Sequence, residues 1–495
     1  MNRIQQFGLL FGPAAFAIFF LLPAPADLSP AGWHTLGVAT WMAAWWMTEA
    51  IPISATALLP LALFPLIGSG TVREVAAPYA DPVIYLFMGG FMIALAMERW
   101  DLHRRVALHV IRMVGTSPNR LVAGFLLATA LISMWVNNTA TTMMMLPVAL
   151  SVLDVAERSG GVKRGDHFEV ALLLTIAYGS SIGGMGTLVG TAPNMLMAGF
   201  FEQQYGITIG FVEWLAIGLP TVLIGLPLSY LLLTRVSFPL GITELPGARE
   251  GVERDLASLG PVSRQEWAVA VVFVATALAW VFRPLLEDAV PGISDGGIAI
   301  VGALSLFIIP AGEGRFVLDW ETARKLPWGT LVLFGGGLSL ADSLTRTGLS
   351  GWIGSALAVE TLPLLVVILL VTAGTVFLTE LASNTATVAT FLPVVAALAV
   401  GMGENPILLA APAVLAATCG FMLPVGTPPN AIVFATERVR MRDMLRAGLW
   451  LDLLFIVILV ALAYTVFGWA LGAQHGVLPP WATPSGAITT PPVLP

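Results

Sequence analysis

The chain reads as apolar runs of about 20 residues separated by short polar stretches, which is the spacing of membrane-crossing helices. Eleven runs are read as spans, near 7–23, 33–47, 53–67, 83–98, 168–204, 213–234, 265–282, 296–310, 327–345, 406–436 and 447–470. Two further apolar segments, 121–156 and 362–402, are too long for one helix each. Each is interrupted at its centre by a polar tripeptide, Asn137-Asn138-Thr139 and Ser383-Asn384-Thr385. A re-entrant helical hairpin with the tripeptide at its tip near mid-membrane accounts for both, because non-helical backbone is tolerated at that depth only where protein buries it. The expected fold is all-α and polytopic, with about eleven transmembrane helices and two re-entrant hairpins.

The two halves of the pattern repeat. Leu86-Phe87-Met88-Gly89-Gly90 returns as Leu333-Phe334-Gly335-Gly336-Gly337, and Arg99 and Leu102 return at the same spacing as Arg346 and Leu349. The asparagines Asn138 and Asn384 keep nearly that spacing, and Gly190-Thr191-Ala192-Pro193-Asn194 returns as Gly426-Thr427-Pro428-Pro429-Asn430. Five spans separate corresponding helices, so the copies run in opposite senses. This is an inverted repeat, with one hairpin entering from each face.

Charge supports the layout. With the N-terminus cytoplasmic, all of the 23 Lys and Arg except Arg73, Arg283 and Arg346 fall on the cytoplasmic side, as the positive-inside rule requires. The C-terminus is then outside. Reading either hairpin segment as a single span would invert every later loop and put the cluster from Arg438 to Arg446 on the outer face.

Composition narrows the class. Hydrophobic residues make up 57% of the 495 and charged residues 11%, against about 25% charged in soluble proteins. The longest polar stretch, 237–264, is too short for a soluble enzyme domain. The basic residues are placed by topology and form no nucleic-acid patch. Cys419 stands alone, so no internal disulfide forms. The five histidines lack metal-ligand spacing, and no Ser/His, paired-Asp or zinc constellation falls within the spans, so the chain does not read as an enzyme.

The polar interruptions carry the chemistry. An amide and hydroxyl cluster in hydrocarbon costs several kcal/mol unless its groups find partners. Downstream of each tip, Gly183-Gly184-Met185-Gly186 through Asn194 and Leu423-Pro424-Val425-Gly426 through Asn430 break an apolar span with glycine and proline. Such breaks free carbonyls at one end and N–H groups at the other. Segments 121–156, 168–204, 362–402 and 406–436 contain no Lys or Arg. An anionic substrate bound there is balanced by helix N-termini, hydroxyl and amide donors, and co-bound cations. The available carbonyls, amides and hydroxyls are hard oxygen ligands suited to sodium. Glu380, three residues before Ser383, is either a proton relay or a hydrogen-bonded neighbour of the tip.

At these residues the chain resembles the divalent anion/sodium symporter family, the dicarboxylate, citrate and sulfate carriers. The resemblance also includes Trp46-Met47-Thr48-Glu49-Ala50-Ile51-Pro52 and Phe421-Met422-Leu423-Pro424-Val425. It implies a homodimer in a bacterial plasma membrane, with a fixed scaffold and a mobile transport domain in elevator motion. Carried onto this sequence, the scaffold is 1–118 and 265–358, the transport domain 119–236 and 359–470, the cytoplasmic linker 237–264, and 471–495 a flexible outer tail. The resemblance implies one sodium site at Ser133, Asn137, Asn138 and the Gly190 carbonyl, and a second at Thr379, Ala382, Asn384 and Gly426. Substrate carboxylates would meet Asn137, Asn138, Thr139, Thr191, Ser383, Asn384, Thr385, Thr427 and Pro428. Asn137 departs from the family, whose pattern has Ser there. The expected function is sodium-coupled symport of small di- or tricarboxylates, with sodium-independent dicarboxylate exchange and sulfate symport as alternatives.

Overall fold

The structure, a computed structural model, describes residues 3–158, 161–242, 245, 247–287, 289–312, 314–357 and 362–482. The expected boundary at 358–359 and the last residues of the tail lie outside them. Apart from one antiparallel ribbon, Pro310–Gly312 with Arg315–Phe316, the regular elements described are helical.

The first half runs α1 (Arg3–Leu21), α2 (Pro30–Thr48), α3 (Pro82–Arg99), α4 (Leu102–Val114), α5 (Pro118–Ser133), α6 (Asn138–Arg158), α7 (His167–Gly184), α8 (Ala192–Tyr205) and α9 (Phe211–Leu231), with a short helix α10 (Ala248–Ser258) in the linker. The second half runs α11 (Arg264–Val281), α12 (Asp295–Ile308), α13 (Trp328–Arg346), α14 (Leu349–Leu357), α15 (Leu364–Thr379), α16 (Asn384–Gly401), α17 (Pro406–Ala416), α18 (Pro428–Phe434) and α19 (Met441–Leu462). Among the described residues, seven helical stretches are long and apolar enough to cross a membrane: Arg3–Leu21, Val72–Arg99, Asn138–Arg158, Phe211–Ser237, Arg264–Val281, Asn384–Gly401 and Met441–Ala470.

Local chemistry sets the boundaries. Ser29 caps α2 by accepting the Gly32 N–H at 3.0 Å, with Pro30 at the first helical position, where its missing N–H costs nothing. Ser263 and Glu266 form a capping box at the start of α11, with bonds of 3.1 and 2.6 Å. Glu266 also takes Arg105 of α4 at 2.7 Å, while the same guanidinium donates to Gly260 O and Leu259 O. One buried ion pair thereby fixes α4 against the linker.

The apolar run 53–67 is not one helix. It forms two short ones, Ile53–Thr56 and Leu59–Leu63, because Pro52 and Pro60 each start a new turn and neither can donate to a preceding one. Spans 168–204 and 406–436 are each split in two, at the glycine and proline clusters. Among the elements that escaped the hydropathy reading are α4, α10 and α14. The helices α4 and α14 occupy corresponding places, each after a sharp corner in the left-handed region, at Asp101 (φ 54) and Gly348 (φ 76). The tail is packed as far as the structure describes it, to Ala482. Trp481 meets Tyr205 edge-on, and Gly476 N–H donates to Glu404 at 2.7 Å.

Against each hairpin packs a wholly buried helix. Every residue of α7 from Phe168 to Gly184 is buried, and so is all of α17. α7 packs on both legs of the hairpin α5–α6, and α17 on both legs of α15–α16. The breaks after α7 and α17 are thus held against the hairpin tips.

Candidate functional site

Both tripeptides lie where a hairpin turns, and the two turns are built alike. Asn138 opens α6 and accepts from Ser133 Oγ of the preceding leg at 2.9 Å. Asn384 opens α16 and accepts from Thr379 Oγ1 at 2.8 Å. Ser133 and Thr379 are fully buried behind the tips. The Thr379 hydroxyl has one proton but lies within 2.7 Å of the Ala417 carbonyl as well, so three oxygens crowd together. Such a group of hard oxygens suits a small cation. Asn137, the departure from the family pattern, turns its Oδ1 to the Ala140 N–H at 2.9 Å, which leaves its Nδ2 as the group free to meet a ligand.

The two helix breaks are held open by a matched pair of asparagines. Asn194 Nδ2 donates to Gly184 O at 2.9 Å and Thr187 O at 2.8 Å; Asn430 Nδ2 donates to Gly420 O at 2.9 Å and Leu423 O at 3.0 Å. Both side chains are wholly buried. They satisfy the carbonyls that an unwound helix leaves without partners. The break also needs Gly184, since a Cβ there would press on the Asn138 amide. Glu380, weighed in the sequence as a proton relay, accepts the Met422 and Leu423 N–H groups at 2.7 and 2.9 Å and so ties the second tip to the second break.

Tips and breaks enclose one cavity of about 820 Å³. All of the expected substrate residues line it: Asn137, Asn138, Thr139, Thr191, Ser383, Asn384, Thr385, Thr427 and Pro428. Gly190 and Gly426 line it too, while Ser133, Thr379 and Ala382 stand behind. The first residues of α6, α8, α16 and α18 all reach its wall. No Lys or Arg is among its described lining residues. Sequence reasoning missed Phe91, Thr330 and Phe434 in the cavity wall, and also Glu49, the one charged residue of its described lining. Glu49 stood inside the Trp46–Pro52 motif as its single charged letter, which was the available signal. Phe91, Thr330 and Phe434 look like ordinary positions of apolar spans and gave none.

Comparison with known proteins agrees with this architecture. The sequence model described as the sodium:sulfate symporter transmembrane region matches residues 5–472. The sodium-dependent dicarboxylate transporter SdcS of Staphylococcus saprophyticus is 42% identical over 485 residues, covering 95% of this chain and 93% of that protein. The protein of the same name from Staphylococcus aureus strain USA300 is 40% identical over 479 residues, covering 94% and 92%. In fold, the chain is similar to the YdaH transporter of Alcanivorax borkumensis (TM-score 0.54, 18% identity, covering 83% of this chain and 89% of that one). It is likewise similar to MtrF of Neisseria gonorrhoeae (TM-score 0.59, 15% identity, covering 94% and 96%). With paired hairpin tips, paired helix breaks and a family match running almost end to end, the chain belongs to the sodium:sulfate symporter family of membrane transporters.

Proposed function

We propose that this chain is a sodium-coupled secondary active symporter of small dicarboxylates of the succinate, malate and fumarate type. The observation that carries the reading is the convergence of four helix starts on one cavity whose described lining holds no Lys or Arg. A helix N-terminus presents about half an elementary positive charge, and α6, α8 and α16, of 21, 14 and 18 residues, are long enough to do so. Their sum falls short of a dianion's two charges, so co-transported cations complete the balance. The names of the two staphylococcal relatives favour a dicarboxylate over the sulfate of the family description.

In this reading Asn138 and Asn384 act on both cargoes. Each side-chain oxygen, already beside a buried hydroxyl, serves a sodium ion together with Gly190 or Gly426, while each amide nitrogen donates to a substrate carboxylate. Thr139, Thr191, Ser383, Thr385 and Thr427 supply hydroxyl donors, and Asn137 contributes its Nδ2. Residues 119–236 and 359–470 form the transport domain, which moves against a scaffold of 1–118 and 265–358 in a homodimer. The lining residues Pro327 and Ala435 follow and precede, within a few residues, the basic stretches at 324–325 and 438–446. With the N-terminus cytoplasmic and the C-terminus outside, these two lining residues lie toward the cytoplasmic side.

The test is uptake of labelled succinate into proteoliposomes against sodium concentration, with potassium as control and malate, citrate and sulfate as competitors. A Hill coefficient for sodium clearly above one is expected. Undiminished uptake or exchange in sodium-free medium overturns the reading.

A further inference from the structure

Behind the second hairpin tip lie two carboxylates, one of which has no part in the site described above. Asp452, midway along α19, is completely buried, and neither of its oxygens meets a donor in hydrogen-bond geometry among the described residues. Its carboxylate neighbour is Glu380. Glu380 is 2% exposed, and its two oxygens accept the Met422 and Leu423 N–H groups. The other groups bearing on the pair are the Phe421 N–H, the Tyr178 hydroxyl of α7 and the Cys419 thiol. The Tyr178 hydroxyl is directed to Met444 O at 3.4 Å. No Lys, Arg or His is among them.

The fold does not require these carboxylates. By the correspondence that pairs Asn138 with Asn384, the first-half counterpart of Glu380 is Met134. By the correspondence that pairs Gly218 on Met185 O with Gly448 on Phe421 O, the counterpart of Asp452 is Val222. The first half thus builds the same tip, break and crossing helix with two apolar residues. Glu380 has a bridging role that the Thr187 hydroxyl fills in the first half, by donating to Met134 O. Asp452 has no such role. Two facing carboxylates, buried and without a cationic side chain, repel each other and lose hydration, and a bound cation removes both penalties.

We propose that Glu380 and Asp452 form a sodium site distinct from those at the two hairpin tips, with Asp452 contributing both oxygens and Glu380 the remaining lone pairs of its own. The inference rests on the reading of the chain as a sodium-coupled carrier. Occupancy here would brace α19 against the break that presents Gly426 and Thr427, so loading this ion favours the geometry of the second tip site. The asymmetry also predicts that the two halves of the repeat do not hold equal numbers of cations.

The test compares the full-length wild type with Asp452→Asn, in which the second carboxylate becomes a neutral isostere. Two readouts are taken: the sodium Hill coefficient for succinate uptake in proteoliposomes, and the shift in thermal unfolding of the purified protein between choline and sodium media. Asp452→Asn should lower the Hill coefficient by about one and shrink the sodium-induced shift, while unfolding in choline occurs at the same or a higher temperature than in the wild type. A merely structural role would instead lower stability in both media. If Asp452→Asn does not yield a monodisperse protein, Glu380→Gln gives the same readouts from the other carboxylate. An unchanged sodium response in the variant overturns the site but leaves the carrier reading intact. So does a variant that loses a dependence on pH with its sodium Hill coefficient unchanged, since the pair then holds a shared proton. A wild type with no sodium response overturns the carrier reading together with the site.

Discussion

The Arg438 guanidinium lies 2.6 Å from the carboxylate of Glu169, a side chain with no solvent exposure, and so joins the loop after α18 to the start of α7. The same nitrogen is 2.5 Å from Glu157, and its neighbour is 3.1 Å from Asp154. One cation thus holds three acids from the first half of the chain.

Replacing that cation should be expensive. Arg438→Met strands the buried Glu169, and removing one partner of a buried pair costs about 3–5 kcal/mol. Thermal unfolding in detergent should show the loss, and Glu169→Gln in the same background should recover part of it. Arg438→Lys should be intermediate, because an ammonium cannot spread its donors over three carboxylates as a planar guanidinium does.

The helix breaks should depend on Asn194 and Asn430 to similar extents. Asn194→Leu leaves Gly184 O and Thr187 O without a donor, and Asn430→Leu does the same to Gly420 O and Leu423 O. Each is expected to destabilise by about 2–4 kcal/mol, the cost of unsatisfied buried carbonyls. Asn194→Asp should be worse than Leu, since a carboxylate then faces two carbonyl oxygens. Unfolding curves of the four proteins check the ranking.

Asn138→Ala and Asn384→Ala should reduce succinate uptake at least about tenfold while leaving unfolding temperatures close to wild type, because the truncated atoms face the cavity and only one hydrogen bond of about 1 kcal/mol is lost at each. Near-normal uptake in both variants counts against the assignment of the tips.

Asn137→Ser should keep the cap on Ala140, as a serine oxygen accepts the same N–H, while removing the bulk and the Nδ2 donor from the cavity wall. The expected outcome is a rise in uptake of citrate relative to succinate. An unchanged ratio would mean that Asn137 does not set substrate size.

Topology can be read by thiol labelling. The native Cys419 is completely buried. Lys163→Cys should react with an impermeant reagent only after permeabilisation of cells, and Met402→Cys from outside. Met402 is preferred to its neighbour Gly401, where a side chain would strike the Gly354 backbone. Labelling of both from one side would contradict the opposed hairpins.

The parts of the fold that the sequence makes legible are those in which polarity is out of place. Asn138 and Asn384 stand in hydrocarbon runs, so their position at helix starts around a cavity followed from the cost of burying amides. The breaks at Gly183–Gly186 and Leu423–Gly426 were visible because clustered glycine and proline weaken a helix. The helices α4 and α14 were not. They are short, and α4 alternates Arg104 and Arg112 with Leu108 and Ile111, so its mean hydropathy resembles that of a loop. Asp452 was also overlooked, because a single carboxylate in a long apolar helix reads as an exception until its neighbour across space is known.

The corners at Asp101 and Gly348 occupy matching places, just before α4 and α14, yet they are made of different residues. Glycine enters or leaves the left-handed region freely, whereas an aspartate held there gives up about 1 kcal/mol. If α4 and α14 turn at these corners, the second is a free bearing and the first a sprung joint. The restoring torque of such a turn would then come from the first corner alone, and two matching corners would still share a preferred resting pose.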